Sequence, residues 1–157
     1  MKVVVVSVLL GVGAAACSGD ADLSTDHDGH TERDPEDDFK GCPPDVPLFE
    51  SGLQAAGAQH TVTLLSAEPA EPERYENDWV VELSPPDAEL VRGQTFMPIH
   101  GHDGRVQPEL KPLAAEPGRF AIERLNFTMR GPWEVRLWTR AADAAEDYVV
   151  FHVCVAK

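Results

Sequence analysis

The chain reads as an all-β protein, an antiparallel β-sandwich of seven or eight short strands. Three observations lead there. From residue 60 onward, apolar and polar residues alternate in short runs, the period of a strand with one covered face. Clusters of Pro, Gly and Asp separate those runs, as turns require. The apolar positions follow that period of two and not the 3.6-residue period of a helix.

Taken in order, residues 60–67 are the first candidate strand. Residues 78–84 are the second, with Trp79, Val81 and Leu83 alternating with Val80 and Glu82. Pro85-Pro86-Asp87 ends it by removing backbone donors and forcing a turn. Further candidates are residues 89–92, 95–100, 106–113, 119–127, 133–140 and 147–155. In the run 133–140, Trp133, Val135, Leu137 and Thr139 are expected inward, and Glu134, Arg136, Trp138 and Arg140 outward. In the last run Val149, Phe151, Val153 and Val155 share one face, leaving Tyr148, Val150, His152 and Cys154 on the other. Trp138 on the outer face is expected to be covered by Tyr148 across the strand pair or by the N-terminal segment, with a partner surface as the alternative.

The N-terminus reads as an export signal. Met1-Lys2 is a minimal basic start, and residues 3–12 supply an apolar run too short to span a bilayer, where a helix needs roughly 20 such residues. Gly13-Ala14-Ala15-Ala16-Cys17 resembles the lipobox of bacterial lipoproteins, although Ala14 stands where that motif usually carries Leu. The resemblance implies cleavage before Cys17, lipidation of Cys17 and a membrane anchor. Ser18 in place of Asp leans, by the same likeness, toward the outer membrane facing the periplasm. Ordinary secretion with cleavage near Ala16 is the alternative. Residues 1–16 are thus expected to be a signal peptide, 17–41 a tether and 42–157 the folded domain.

With Cys17 committed to a lipid, Cys42 and Cys154 remain as one pair in an oxidising compartment and are expected to form a disulfide. Cys154, facing away from the core, would then pin the proline-rich Cys42 segment across the outside of a sheet and shield part of it. A blue-copper centre built on His152 and Cys154 lacks the His and Met that should follow the Cys, since only Val155, Ala156 and Lys157 do.

The formal net charge is −14, and nine acidic residues lie between Ser18 and Lys40 against Arg33 and Lys40. That segment lacks the apolar residues needed to offset ordering entropy, so it is expected to be a disordered tether. It also holds His27-Asp28-Gly29-His30, either a loose divalent-ion site or part of a solvated linker. The chain shows no Lys and Arg cluster of the kind that neutralises phosphates, which argues against nucleic acid as a partner. It shows neither a nucleophile elbow nor a phosphate loop, so no enzyme activity is expected.

Met97, His100, His102 and Met129 are the candidate metal ligands. Thioether sulfur with imidazole nitrogen is a donor set that suits copper. On an extended backbone His100 and His102 would share a side across Gly101, and Met97 would join them only if the chain curls at Pro98. Met129 would approach from a neighbouring strand or loop. The alternative is structural: both methionines fill the core, His100 bonds a backbone carbonyl and His102 lies in solvent.

The blocks Met97-Pro98-x-His100-Gly101-His102, Gly118-x-Phe120 and Phe127-x-Met129-x-Gly131-x-Trp133-Glu134-Val135 resemble the YtkA-like domain, which is similar to the periplasmic part of FixH proteins. Asn77-x-Trp79 and Val150-Phe151-x-Val153 fit as well, so the likeness spans about residues 64–155. It implies an immunoglobulin-like sandwich that is exported or lipid-anchored. For FixH-type relatives it implies copper supply to haem-copper oxidases, with the Met-His-His segment in contact with the ion. Ile99 and the cysteine pair depart from the family pattern, and the chain shows no counterpart of the FixH transmembrane helix. The expected function is therefore a lipid-anchored envelope protein that binds copper as a chaperone or sensor and passes it to a partner. A metal-free interaction or assembly module acting through the outer face near Trp138 is the alternative.

Overall fold

A computed structural model describes residues 39, 41–142 and 144–157. The expected signal peptide, Cys17, His27, His30 and nearly all of the expected acidic tether lie outside the described residues.

Nine strands build the domain, and among the described residues there is no helix. They are β1 Gln54–Ala56, β2 Thr61–Glu68, β3 Tyr75–Ser84, β4 Glu89–Met97, β5 His102–Asp103, β6 Glu109–Pro112, β7 Arg119–Phe127, β8 Gly131–Arg140 and β9 Asp147–Val155. Two sheets form, one in the order β1-β2-β3-β7-β6 and the other β5-β4-β8-β9, with every neighbouring pair antiparallel. The expected sandwich is present, with two strands more than the lower count because β1 and β5 were not anticipated. Both are too short to show a period of two, and each exists because a longer neighbour offers a free edge.

The alternation seen in the sequence becomes the core. Trp133, Val135, Leu137 and Thr139 are buried, as are Val149, Phe151, Val153 and Val155, while the intervening residues reach solvent. Trp79 from the facing sheet meets Phe151 edge-on at 5.7 Å between ring centroids, and Phe127 meets Trp133 at 5.5 Å. Such pairs add roughly 1 kcal/mol beyond the area that they bury.

Several boundaries differ from expectation: β2 is shifted by one residue to Thr61–Glu68, β3 begins at Tyr75 and β8 at Gly131, and the larger departures are at β4 and β6. Residues 89–92 and 95–100 are not two strands; β4 runs unbroken from Glu89 to Met97, absorbing a bulge between Leu90 and Arg92. Its end comes at Met97 because Pro98 cannot donate to the ladder. The run 106–113 shrinks to β6, since only Glu109–Pro112 pair with β7.

Outside the core the two sheets differ in chemistry. On the five-stranded sheet Lys111, Arg119 and Arg124 are laced to Glu123, Glu82, Glu116 and Glu109. On the four-stranded sheet, Arg92 lies 3.6 Å from the Trp138 ring centroid and Arg136 3.6 Å from that of Phe96. Tyr148 sits 5.0 Å from Trp138, so the expected intramolecular cover of Trp138 is present, with Arg92 as a further contact.

The Cys42–Cys154 disulfide is formed, closing a sequence separation of 112 residues. Cys154 points outward as expected, and the proline-rich segment it holds leads to Phe49, whose ring packs 5.3 Å from Trp79.

Candidate metal centre

The candidate ligands gather at the end of the sandwich where β4 turns into β5. The turn is tight: the Met97 carbonyl accepts the N–H of His100 at 3.2 Å and that of Gly101 at 2.8 Å. Gly101 has φ 67°, a conformation that a residue with a Cβ adopts at a cost. His100 is therefore in the turn and not on an extended strand. The same-side argument for His100 and His102 fails in its premise, yet the curl brings the imidazoles together, with ring centroids 5.7 Å apart.

Met97 and His102 are direct cross-strand partners, so their side chains leave the sheet on one face. Met97 is 2% exposed, and His102 is half-buried against Trp133, ring centroids 5.8 Å apart. Continuing the β4–β8 register beyond Phe96↔Glu134 sets Met97 beside Trp133. Trp133 in turn donates its indole N–H to the Met129 carbonyl at 3.0 Å, and the Met129 side chain packs partly buried against the core. Trp133 thus connects the two stretches that carry the thioethers. Nothing in its own pattern distinguished it from an ordinary core residue.

Hydrogen bonding orients one imidazole. His102 Nδ1 lies 3.0 Å from the Asp103 carbonyl oxygen, which can only accept, so Nδ1 carries a proton and Nε2 is the nitrogen left for a ligand. It is His102, not His100, that bonds a backbone carbonyl, and His100 that is exposed. The hairpin is pinned to β7: Thr95 donates its hydroxyl to the Asn126 carbonyl at 2.9 Å, and Asn126 Oδ1 accepts the Arg105 N–H at 3.3 Å.

Among the described residues no group of three or more His, Cys, Asp and Glu side chains is placed to hold an ion. His152 is exposed on the outer face, and the disulfide leaves no thiolate at Cys154.

A second polar cluster escaped the sequence reading. His60, 3% exposed, holds Nδ1 at 2.8 Å from the Thr139 hydroxyl and 3.7 Å from Asp147. Burial alone would raise the pKa of the Asp147 carboxyl, but backbone N–H groups of Gln59, Ala58, His60 and Tyr148 outweigh it and hold the value down at about 2. The cluster ties the turn after β1 to the start of β9, and its hydrogen-bonding capacity is spent on the fold.

Two packed antiparallel sheets with a Met, His and Trp cluster at one end define a small β-sandwich domain. A family model described as YtkA-like matches residues 55–137, more than half of the chain, and the chain belongs to that family. Neither the curated proteins nor the solved structures yield a match. The matched stretch includes all four candidate ligands, whereas Cys42, Cys154 and β9 lie outside it.

Proposed function

We propose that this YtkA-like domain is a copper-binding chaperone or sensor of the cell envelope, held to the membrane by a lipid on Cys17, and that it hands its ion to an envelope protein partner. Met97, His100, His102 and Met129 would hold the copper. The observation that carries this reading is the Met97–His102 pair, a buried thioether directly opposite an imidazole whose free nitrogen is Nε2. A backbone carbonyl on the other ring nitrogen is the usual outer partner of a ligating histidine, because it orients the ring and raises its basicity. With metal–nitrogen bonds of about 2 Å, two imidazoles on one ion have centroids roughly 5 to 6 Å apart. The 5.7 Å between His100 and His102 falls in that interval.

The donor chemistry favours Cu(I). Two thioethers are soft ligands, and among the described residues no group of three or more His, Cys, Asp and Glu is placed to recruit a harder ion. What copper supplies when bound is a soft acceptor for sulfur and imidazole. The chain's own residues shield the thioether behind Trp133, fix the His102 tautomer and leave His100 at the surface for exchange with a partner. The role assigned is binding and transfer, with no catalytic step.

The test is competition of the full chain against a chromophoric Cu(I) chelator, repeated with Met97→Leu, His100→Ala and His102→Ala. Each variant should hold Cu(I) more weakly than the parent. Equal stoichiometry and affinity in all four proteins would sink the named site.

A second reading rests on the outer face of the four-stranded sheet. Arg, Trp and Tyr dominate protein-binding hot spots, and Arg92, Trp138 and a 43% exposed Tyr148 lie in one row there. Under this reading the domain is a metal-free assembly module, and Trp138→Ala abolishes capture of its partner while Met97→Leu does not.

A further inference from the structure

We propose that the outer face of the four-stranded sheet is a receptor for the carboxylates of an extended acidic protein segment, with Arg92 as its principal contact. The proposal rests on the interaction reading, to which it adds the chemistry of the partner, and it involves none of the candidate metal ligands.

Strand pairing gathers what the sequence scatters. Arg92 on β4, Trp138 on β8 and Tyr148 on β9 form one row across the sheet. On β8, Arg136 and Arg140 stand two residues to either side of Trp138, so they share its face at a spacing of roughly 7 Å. Three guanidinium side chains therefore surround one indole on a chain whose formal net charge is −14. On a chain of that sign, a local gathering of cations selects where an anionic partner settles. Arg136 is bonded to Glu134, and Arg140 lies opposite Glu89. Arg92 lies opposite an indole.

A bulge in β4 puts Arg92 there. Strict alternation from the buried Leu90 would send residue 92 into the core, yet the register shifts between Leu90 and Arg92, Gly93 takes the buried position and Arg92 is exposed. A bulge re-aims a side chain at the cost of ladder hydrogen bonds, and such features concentrate beside functional sites.

Arg136 demonstrates what a stacked guanidinium on this face does. It lies 3.6 Å from the Phe96 ring centroid, and its Nε and Nη2 reach Glu134 Oε2 at 2.8 Å and 2.7 Å. The ring holds the planar fork flat while the edge of the fork takes a carboxylate. Arg92 repeats the first half of that arrangement, 3.6 Å from the Trp138 ring centroid and exposed. The partner's carboxylate supplies the second half. Stacking holds the fork in place beforehand, which lowers the ordering cost of binding. Half-buried Trp138 and 43% exposed Tyr148 add apolar contact beside it. An extended segment carries alternate side chains at the same interval of roughly 7 Å as β8 does, so a peptide is assigned here and not a lipid headgroup surface.

The probe is dye-labelled hexaglutamate, with hexaglutamine as its neutral twin, and binding to the full oxidised chain is read by fluorescence anisotropy. Hexaglutamate should bind and hexaglutamine should not. Affinity should fall steeply between about 0.1 M and about 1 M salt, as the screening length drops from roughly 10 Å to roughly 3 Å. Arg92→Gln should weaken binding several-fold, and Arg92→Lys should restore only part of the loss, because an ammonium keeps the charge without the fork. Arg119→Gln, which removes the same charge from the other sheet, should leave binding unchanged. Equal affinity in the parent and Arg92→Gln overturns the proposal. An equal loss in Arg119→Gln also overturns it, since net charge alone would then be read. Vesicles of anionic phospholipid that bind through Arg92 while hexaglutamate does not would assign the face to a membrane instead. Hexaglutamate binding that emerges only when the nine acidic residues between Ser18 and Lys40 are changed to amides would assign it to this chain's own acidic stretch. If Trp138→Ala abolishes capture of an envelope protein but Arg92→Gln leaves hexaglutamate binding intact, the interaction reading stands and this proposal falls. Should Arg92→Gln lose cooperative thermal unfolding, Arg92→Lys and Trp138→Phe carry the test under the same criterion.

Discussion

The Asp147 carboxylate occupies the space that a side chain at Gly57 would need: a Cβ there would lie 2.4 Å from Asp147 Oδ2. Glycine at 57 lets the turn after β1 close down on that carboxylate. Oδ1 accepts from Ala58 at 2.9 Å and Tyr148 at 2.9 Å, and Oδ2 from Gln59 at 2.8 Å and His60 at 2.8 Å. The arrangement fastens two chain segments nearly ninety positions apart, as the separation of 89 between Ala58 and Asp147 shows.

The depressed pKa makes this a pH-dependent contribution. The folded carboxyl titrates near 2 against 3.8 unperturbed, so the folded state favours the ionised form. The stabilisation, roughly 2 kcal/mol, is complete above about pH 5 and is lost as pH falls toward the folded value. Urea unfolding between pH 6 and pH 2 should show this loss. In Asp147→Asn the stability should be lower at pH 6 and the acid slope flatter.

Reduction should also expose how much the domain owes to its covalent strap. Closing a loop of 112 residues stabilises by up to about 5 kcal/mol in the chain-entropy model, and real bonds usually deliver less. Denaturant midpoints measured with and without dithiothreitol, and for Cys42→Ser with Cys154→Ser, should fall together. A midpoint indifferent to reduction would mean that the strap contributes through contacts alone.

Copper affinity should decline on acidification, because protons compete for the same imidazole nitrogens. His102→Ala should weaken Cu(I) binding and flatten that decline. His102→Gln, which keeps a polar side chain but no imidazole, should behave as the alanine variant does. Isothermal titration at two pH values distinguishes this outcome from one in which the methionines alone carry the ion.

On the outer face, Arg92→Ala should cost about 1 kcal/mol, the worth of a guanidinium laid on an indole. Arg92→Lys should recover only part of it, since an ammonium does not stack as a planar guanidinium does. Thermal unfolding of the two variants beside the parent is sufficient. If Arg92→Ala is neutral in stability but disrupts binding of an envelope protein, the interaction reading gains.

Much of the architecture was legible because strand periodicity is a local property. Residues 119–127 and 147–155 were bounded correctly from alternation alone, since one face of each had to be apolar and turn residues flanked them. β1 and β5 were not legible, as three and two residues carry no period. At the site, the identities of Met97, His100, His102 and Met129 were readable, but their arrangement was not. A strand was expected through His100, whereas Pro98 and the Met97 carbonyl make a turn there. Trp133 could not have been singled out, because its significance lies in what it touches.

Taken by itself, the amino-acid order determined the fold class, the inward and outward faces of the long strands, the pairing of the two cysteines of the domain and the soft character of the candidate ligands. These follow from side-chain chemistry and from a period of two, both of which act between near neighbours along the chain. Only the tertiary structure decided that Met97 faces His102, that Trp133 joins both to Met129 and that Asp147 anchors a turn far away in sequence. Those relationships depend on strand order and register across two sheets, which the packing of the whole core selects and no local pattern encodes.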